Sequence, residues 1–191
     1  MSLEKRFKVI INITLILFII LLVWIIYFKM GDTEMIYLNH SWLKKLSIKD
    51  RFLYDLVPFK LRYDITRQFI EVLLNAVVFA PFGVILSLRS EKIQVIRHSL
   101  FCFLLSLGFE LIQLFTTIGS FATADLIMNT MGYFIGLLIY QIFFKKASTK
   151  FNIIFFTIIN VLMIVILIYG ISVIISKWEV YSIILQDFFR R

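Results

Sequence analysis

An all-α, polytopic membrane helix bundle with about five transmembrane helices, accompanied by interfacial amphipathic helices, is the fold this sequence predicts. Three observations lead there. Hydrophobic residues make up 61% of the 191 positions, against roughly 45–50% in soluble domains. They gather in runs long enough to cross a bilayer core about 30 Å thick, which takes roughly 20 helical residues. Basic residues collect beside these runs rather than along a separate stripe, so the net charge of +8 reads as flanking charge and nucleic-acid binding is excluded.

The first run, Val9 to Phe28, is interrupted only by Asn12 and Thr14. It reads as an uncleaved anchor, because a signal peptide has a shorter apolar stretch and a small-residue cleavage site, and Phe28-Lys29-Met30 offers none. Phe69 to Leu88 is a weaker second span, His98 to Ile118 a third and Asp125 to Phe144 a fourth. Ile153 to Ile175 is an almost unbroken fifth. No linker divides the chain, so residues 1–191 form a single integral membrane domain.

Orientation follows from Lys and Arg in the short loops. Arg89, Lys92 and Arg97 follow the second span, Lys145, Lys146 and Lys150 the fourth, and Lys5, Arg6 and Lys8 precede the first. The turn Gly119 to Ala124 has no basic residue. The N-terminus is therefore expected in the cytoplasm and the C-terminus outside. Residues 29–68 carry eight basic residues and would then lie outside, but a loop of that length obeys the charge rule less strictly. In this segment Tyr37, Trp42, Leu43, Leu46, Ile48, Phe52, Tyr54 and Phe59 alternate with Lys44, Lys45, Arg51, Lys60 and Arg62. That mixture suits short helices lying at the lipid–water boundary, or a lid over whatever lies beneath. In the tail, residues 176–191, Trp178, Tyr181, Leu185 and Phe188 recur at helical spacing and predict another interfacial helix.

Polar residues inside the spans are the candidate site, because ionisable groups in hydrocarbon are costly. Glu71 and Asn75 lie a turn apart in the second span. In the third, Cys102, Ser106, Glu110, Gln113 and Thr117 share a face, and in the fourth so do Asp125, Asn129, Gly132 and Gly136. By helical rise Glu110 lies about 12 Å, Asn75 about 9 Å, Gln113 about 8 Å and Asn129 about 6 Å from the outer end of its span, with Glu71 and Asp125 near the boundary. The stripes converge on a polar pocket open to the outside. The amides have an alternative role as helix-to-helix hydrogen bonds, and Asp125 as a cap of the fourth helix. Glu110 is the deepest and has no basic residue in an adjoining span, so it is expected to carry a proton or share one with Asp125 or Glu71. Pro81 is expected to kink the second span, with Gly83 adding local freedom. Asn12 and Asn160 are single amides with a structural role. A single cysteine, Cys102, rules out an intramolecular disulfide, and His40 and His98 are not in a metal-ligand spacing. No metal and no cofactor is expected.

The same stripes resemble a known family. Asn75-Ala-Val-Val-Phe79-Ala-Pro81-Phe-Gly83 is similar to the motif N-x-x-x-F-x-P-F-G of the VanZ-like membrane proteins. Ser106 to Gln113 resembles their S-x-x-x-E-x-x-Q helix. Asp125-Leu-Ile-Met-Asn129-Thr-Met-Gly132, with Gly136, resembles their D-x-x-x-N-x-x-G-x-x-x-G helix. Val57-Pro58-Phe59 is similar to the P-F element before the second span. The resemblance covers about residues 55–140. It departs from the family before Asp125, where members often carry an arginine and a further aspartate and this chain has Ala122. That loss removes a charge pair from the mouth of the expected pocket and weakens any acid-pair mechanism. The family's namesake is associated with low-level resistance to teicoplanin, a lipid-tailed glycopeptide acting at the outer face of the bacterial membrane.

The resemblance implies a bacterial cytoplasmic-membrane protein of the cell envelope. The functional expectation is non-catalytic: Glu71, Asn75, Glu110, Gln113, Asp125 and Asn129 bind a lipid-linked wall precursor or a lipoglycopeptide amid membrane lipids. Pro58, Phe79, Pro81, Gly83, Gly132 and Gly136 are motif positions with structural roles. The alternatives are an intramembrane acid/base enzyme using Glu110 and Asp125, and a proton-coupled transporter. No nucleophile–base arrangement favours the first, and no internal repeat favours the second.

Overall fold

The computed structural model describes residues 2–28, 41–54, 56–58, 65–90, 94–117 and 119–189, excepting the side chains at 54, 65–68, 71, 184–185 and 187–189. In order come α1 (Leu3–Phe28), α2 (Ile48–Tyr54), α3 (Ile65–Arg89), α4 (Val95–Thr116), α5 (Thr123–Ile139), α6 (Thr149–Ser176) and α7 (Trp178–Phe189). A π-helical turn, Tyr140–Phe144, extends α5. Among the described residues there is no strand. Five helices are long and apolar enough to cross a membrane: α1, α3, α4, α5 with its extension, and α6.

Side-chain contacts fix how the spans run. The Asn160 amide donates to the Ile10 carbonyl (3.4 Å), and further along both helices Trp24 meets Gly170, so α1 and α6 are parallel. Asn75 meets Asp125 and Ala80 meets Gly136, so α3 and α5 are parallel too. Asn129 meets Ser106 while Ala122 meets Glu110, so α4 runs opposite to α5. This is the alternation required of five successive crossings. It gathers the C-termini of α1 and α4 and the N-termini of α3 and α5 at one end, here the site end. The N-terminus of α1 and the α3–α4 and α5–α6 connections lie at the far end.

The most extensive contact joins α3 and α5. Glycines make it possible. A Cβ on Gly136 would overlap the Ala80 carbonyl, and one on Gly83 would strike the backbone of Tyr133 and Leu137, so the two helices touch main chain to main chain. Gly83 therefore serves close approach rather than the local freedom expected of it. Helix α3 continues through Pro81. The carbonyl four residues back loses a donor there, a defect membrane helices tolerate where neighbours enclose it. Around this pair Phe79, Phe82 and Tyr133 are fully buried. Phe18 of α1 meets Phe82 edge-on at 4.9 Å. Helix α6 packs on α1 and leaves Ile158, Val161, Val165 and Ile168 exposed, as a lipid-facing helix should.

A designed-looking stop ends α4. Thr117 adopts φ 61°, the only positive φ among described non-glycine residues. A β-branched residue is strained in this region. The chain then turns directly into α5, whose first turn sits beside the last turns of α4.

Candidate functional site

The site is built where α5 begins. Its N-cap residue is Ala122, which has no side chain able to cap, so the exposed N–H groups of the first turn need another acceptor. Glu110 supplies it from α4: its Oε2 accepts the Ala122 N–H at 2.7 Å. Glu110 is only 3% exposed and Ala122 half-buried, so the bond is partly sheltered from water. A carboxylate also suits the positive end of a helix. Asp125, in the first turn of α5, is not the cap. Its Oδ1 instead accepts the Asn75 amide of α3 at 2.6 Å. Both acids thus converge on one helix N-terminus, Asp125 half-buried at the rim and Glu110 enclosed behind it.

One layer further in, the Asn129 amide donates to the Ser106 hydroxyl at 2.8 Å. Gln113 is buried and lies under the α4–α5 turn, where a Cβ on Gly119 would sit 3.2 Å from its carboxamide. Glu71 lies one turn before Asn75 on α3, but its side chain falls outside the described residues. Pro58 is described and exposed, while Phe59 falls outside. Of the six expected site residues, the structure therefore joins Asn75 to Asp125, sets Glu110 on the same α5 terminus, and places Gln113 and Asn129 beside them. Phe79, Gly83, Gly132 and Gly136 lie in the α3–α5 contact below.

Arg51 is the residue that sequence reasoning missed as part of the site. It lies on α2 among cations that look interfacial, yet it is 3% exposed. Its Nη1 donates to the Leu114 carbonyl at 2.7 Å. Leu114 is one turn beyond Glu110 on α4, so a cation meets the negative end of that helix where its last carbonyls lack intrahelical donors. The next residue, Phe52, lies against Phe121 with ring centroids 4.9 Å apart. Helix α2 is thus seated over the α4–α5 turn. Tyr27, at the end of α1, donates to the Phe109 carbonyl at 3.1 Å and closes another side.

Chemically, the site presents acceptors and amides in a sheltered place. Carboxylates held by N–H donors can exchange those donors for hydroxyl, amide or ammonium groups of a ligand. Among the described residues no three His, Cys, Asp or Glu side chains are grouped to hold a metal.

The VanZ/LLP1 family profile matches residues 15–145, which takes in α2 to α5 and most of α1. The "Protein VanZ" of Enterococcus faecium is 32% identical over 136 residues, 71% of this chain and 76% of that protein. No solved structure matches. The match spans every helix that builds the site, and the chain belongs to the VanZ/LLP1 family of multi-pass membrane proteins.

Proposed function

We propose that this protein binds, at the site end of its bundle, the polar head of an amphipathic cell-envelope molecule, either a lipid-linked wall precursor or a lipoglycopeptide. The observation that carries the reading is the convergence of Asn75–Asp125 and Glu110 on the first turn of α5, beneath α2. Acceptor-rich groups suit a head dense in N–H and O–H donors, such as a peptide or a saccharide. Beside them the outward faces of Phe69, Ile70, Leu73, Leu74 and Val77 on α3 are exposed, a surface along which an acyl tail can lie.

The basic residues of the short loops support a far end in the cytoplasm of a bacterial cell and a site end outside, where such ligands are found. Glu71, Gln113 and Asn129 complete the binding set, and α2 with its neighbours acts as the cover. A contribution to glycopeptide resistance of the teicoplanin type follows from the same reading.

The test is genetic. The gene is deleted and restored as wild type, Glu110→Gln or Asp125→Asn, and susceptibility to lipoglycopeptides and envelope stress is measured. Deletion is expected to sensitise the cell, with the two variants restoring it poorly. Equal susceptibility in every strain refutes the reading.

A further inference from the structure

The buried face of α4 does not resemble the interior of an ordinary membrane helix. From the far end towards the site it presents His98, Cys102, Ser106 and Glu110, one residue per turn, all buried. Opposite them α5 presents Asn129 and Tyr133. Leucine at each of these positions would give a drier contact.

Three polar atoms along this seam have no hydrogen-bond partner among the described residues: Asn129 Oδ1, the Tyr133 hydroxyl and His98 Nδ1. Their residues are 5%, 0% and 7% exposed, so bulk water does not reach them from the surface. They are also neighbours. The Tyr133 ring stands edge-on to the His98 imidazole, with centroids 6.2 Å apart. The Asn129 amide nitrogen is already held by Ser106, which leaves its buried oxygen as the open acceptor. At the far end His98 Nε2 is paired with the Ser90 hydroxyl at 2.9 Å.

Buried polar atoms in proteins are satisfied by protein groups or by ordered water, and in lipid there is no third option. Successive positions on a helix face are separated by about 6 Å of rise, close to the roughly 5.5 Å spanned by two hydrogen bonds through one water molecule. We propose that the α4–α5 seam is a hydrated proton path, in which single waters link Glu110, Asn129, Tyr133 and His98 from the site end to the far end.

The transfer is balanced at each link. A proton leaving Glu110 passes from water to water beside the Asn129 oxygen, which accepts a hydrogen bond and carries no proton itself, and reaches the Tyr133 oxygen as that hydroxyl releases its own proton onward. His98 takes a proton at Nδ1 and releases one from Nε2 towards Ser90 and the aqueous edge. Only O–H and N–H bonds are exchanged, and no oxidant or second substrate takes part. The path gives Glu110 a route for its proton that does not cross the binding face, and it holds whatever ligand, if any, occupies that face.

The full-length protein is reconstituted into liposomes containing a pH-sensitive dye, and proton entry is driven by a valinomycin-induced potassium potential. Wild type is expected to admit protons well above the rate of protein-free liposomes. Tyr133→Phe keeps the ring and removes only the unpartnered hydroxyl, so it should fold normally and lower the flux at least tenfold. Glu110→Gln, blocking the other end, should do the same, and Tyr169→Phe on the exposed face of α6 should leave the flux unchanged. Wild-type flux equal to that of protein-free liposomes, or full flux in both Tyr133→Phe and Glu110→Gln, overturns the proposal. Because the assay contains no envelope ligand, its failure leaves the susceptibility test of the binding reading undisturbed, and the reverse also holds.

Discussion

Glu110 holds the Ala122 N–H through one carboxylate oxygen, and replacing the side chain separates its charge from its acceptor role. Glu110→Gln keeps an oxygen for that N–H, so its stability should fall by less than about 1.5 kcal/mol, the net worth of an ordinary hydrogen bond. Glu110→Leu leaves a half-buried N–H without its acceptor and should lose a further 1–3 kcal/mol or so. Thermal unfolding in detergent, followed by size-exclusion recovery, ranks the two. Equal losses would show that the bond to Ala122 contributes nothing. At this scale Glu110, Asn75 and Asp125 were legible in the sequence because acids and amides stand out against hydrocarbon. Arg51 was not. A cation in a stretch already rich in Lys44, Lys45 and Lys49 looks solvated, and only the tertiary seat of α2 turns it inward onto Leu114.

Helix α3 meets α5 through Gly83, Gly132 and Gly136, and the tolerance of that contact is near zero. A Cβ on Gly136 would occupy the position of the Ala80 carbonyl, and neither backbone can yield without moving its whole helix. Gly136→Leu should therefore exceed the roughly 1–3 kcal/mol of ordinary overpacking and appear as lost monodisperse protein, whereas Gly108→Ala, with open space around the added methyl, should behave as wild type. If the two variants were recovered equally, the main-chain contact would be refuted. Gly132 and Gly136 were visible beforehand as structural positions sharing one face of α5 with Asp125 and Asn129. The partner of that face was not, because Gly83 beside Pro81 looked like a weak point in α3, and periodicity within one helix says nothing of which neighbour it meets. The cap of α5 was hidden for the same reason: Asp125 occupies a favourable place in the first turn, yet its oxygen is taken by Asn75.

Across the whole molecule, hydropathy and length were sufficient to find the five crossings, since each apolar run is about as long as the bilayer core is thick. That α1 packs on α6 and α3 on α5 could not be read that way, although their parallel directions follow from the alternation, because lipid-facing and buried residues are equally apolar in such helices. Sidedness rests on the short-loop charges, and it yields a direct expectation. On a Cys102→Ser background, Ser120→Cys should react with a membrane-impermeant maleimide in intact cells, while Ser90→Cys should react only after permeabilisation. The opposite pattern would put the site end in the cytoplasm and remove it from the reach of extracellular ligands.

Helix α5 has no cap of its own and relies on a carboxylate from the helix before it. Any molecule that takes over the Glu110 oxygens must leave the Ala122 amide bare, so occupancy would be transmitted as fraying of the first α5 turn. That turn also carries Asp125, and through Asn75 it is tied to α3. A guest at the surface would thus register as faster deuterium uptake deep in the scaffold, making the fastening between two helices also the gauge of whether the site is filled.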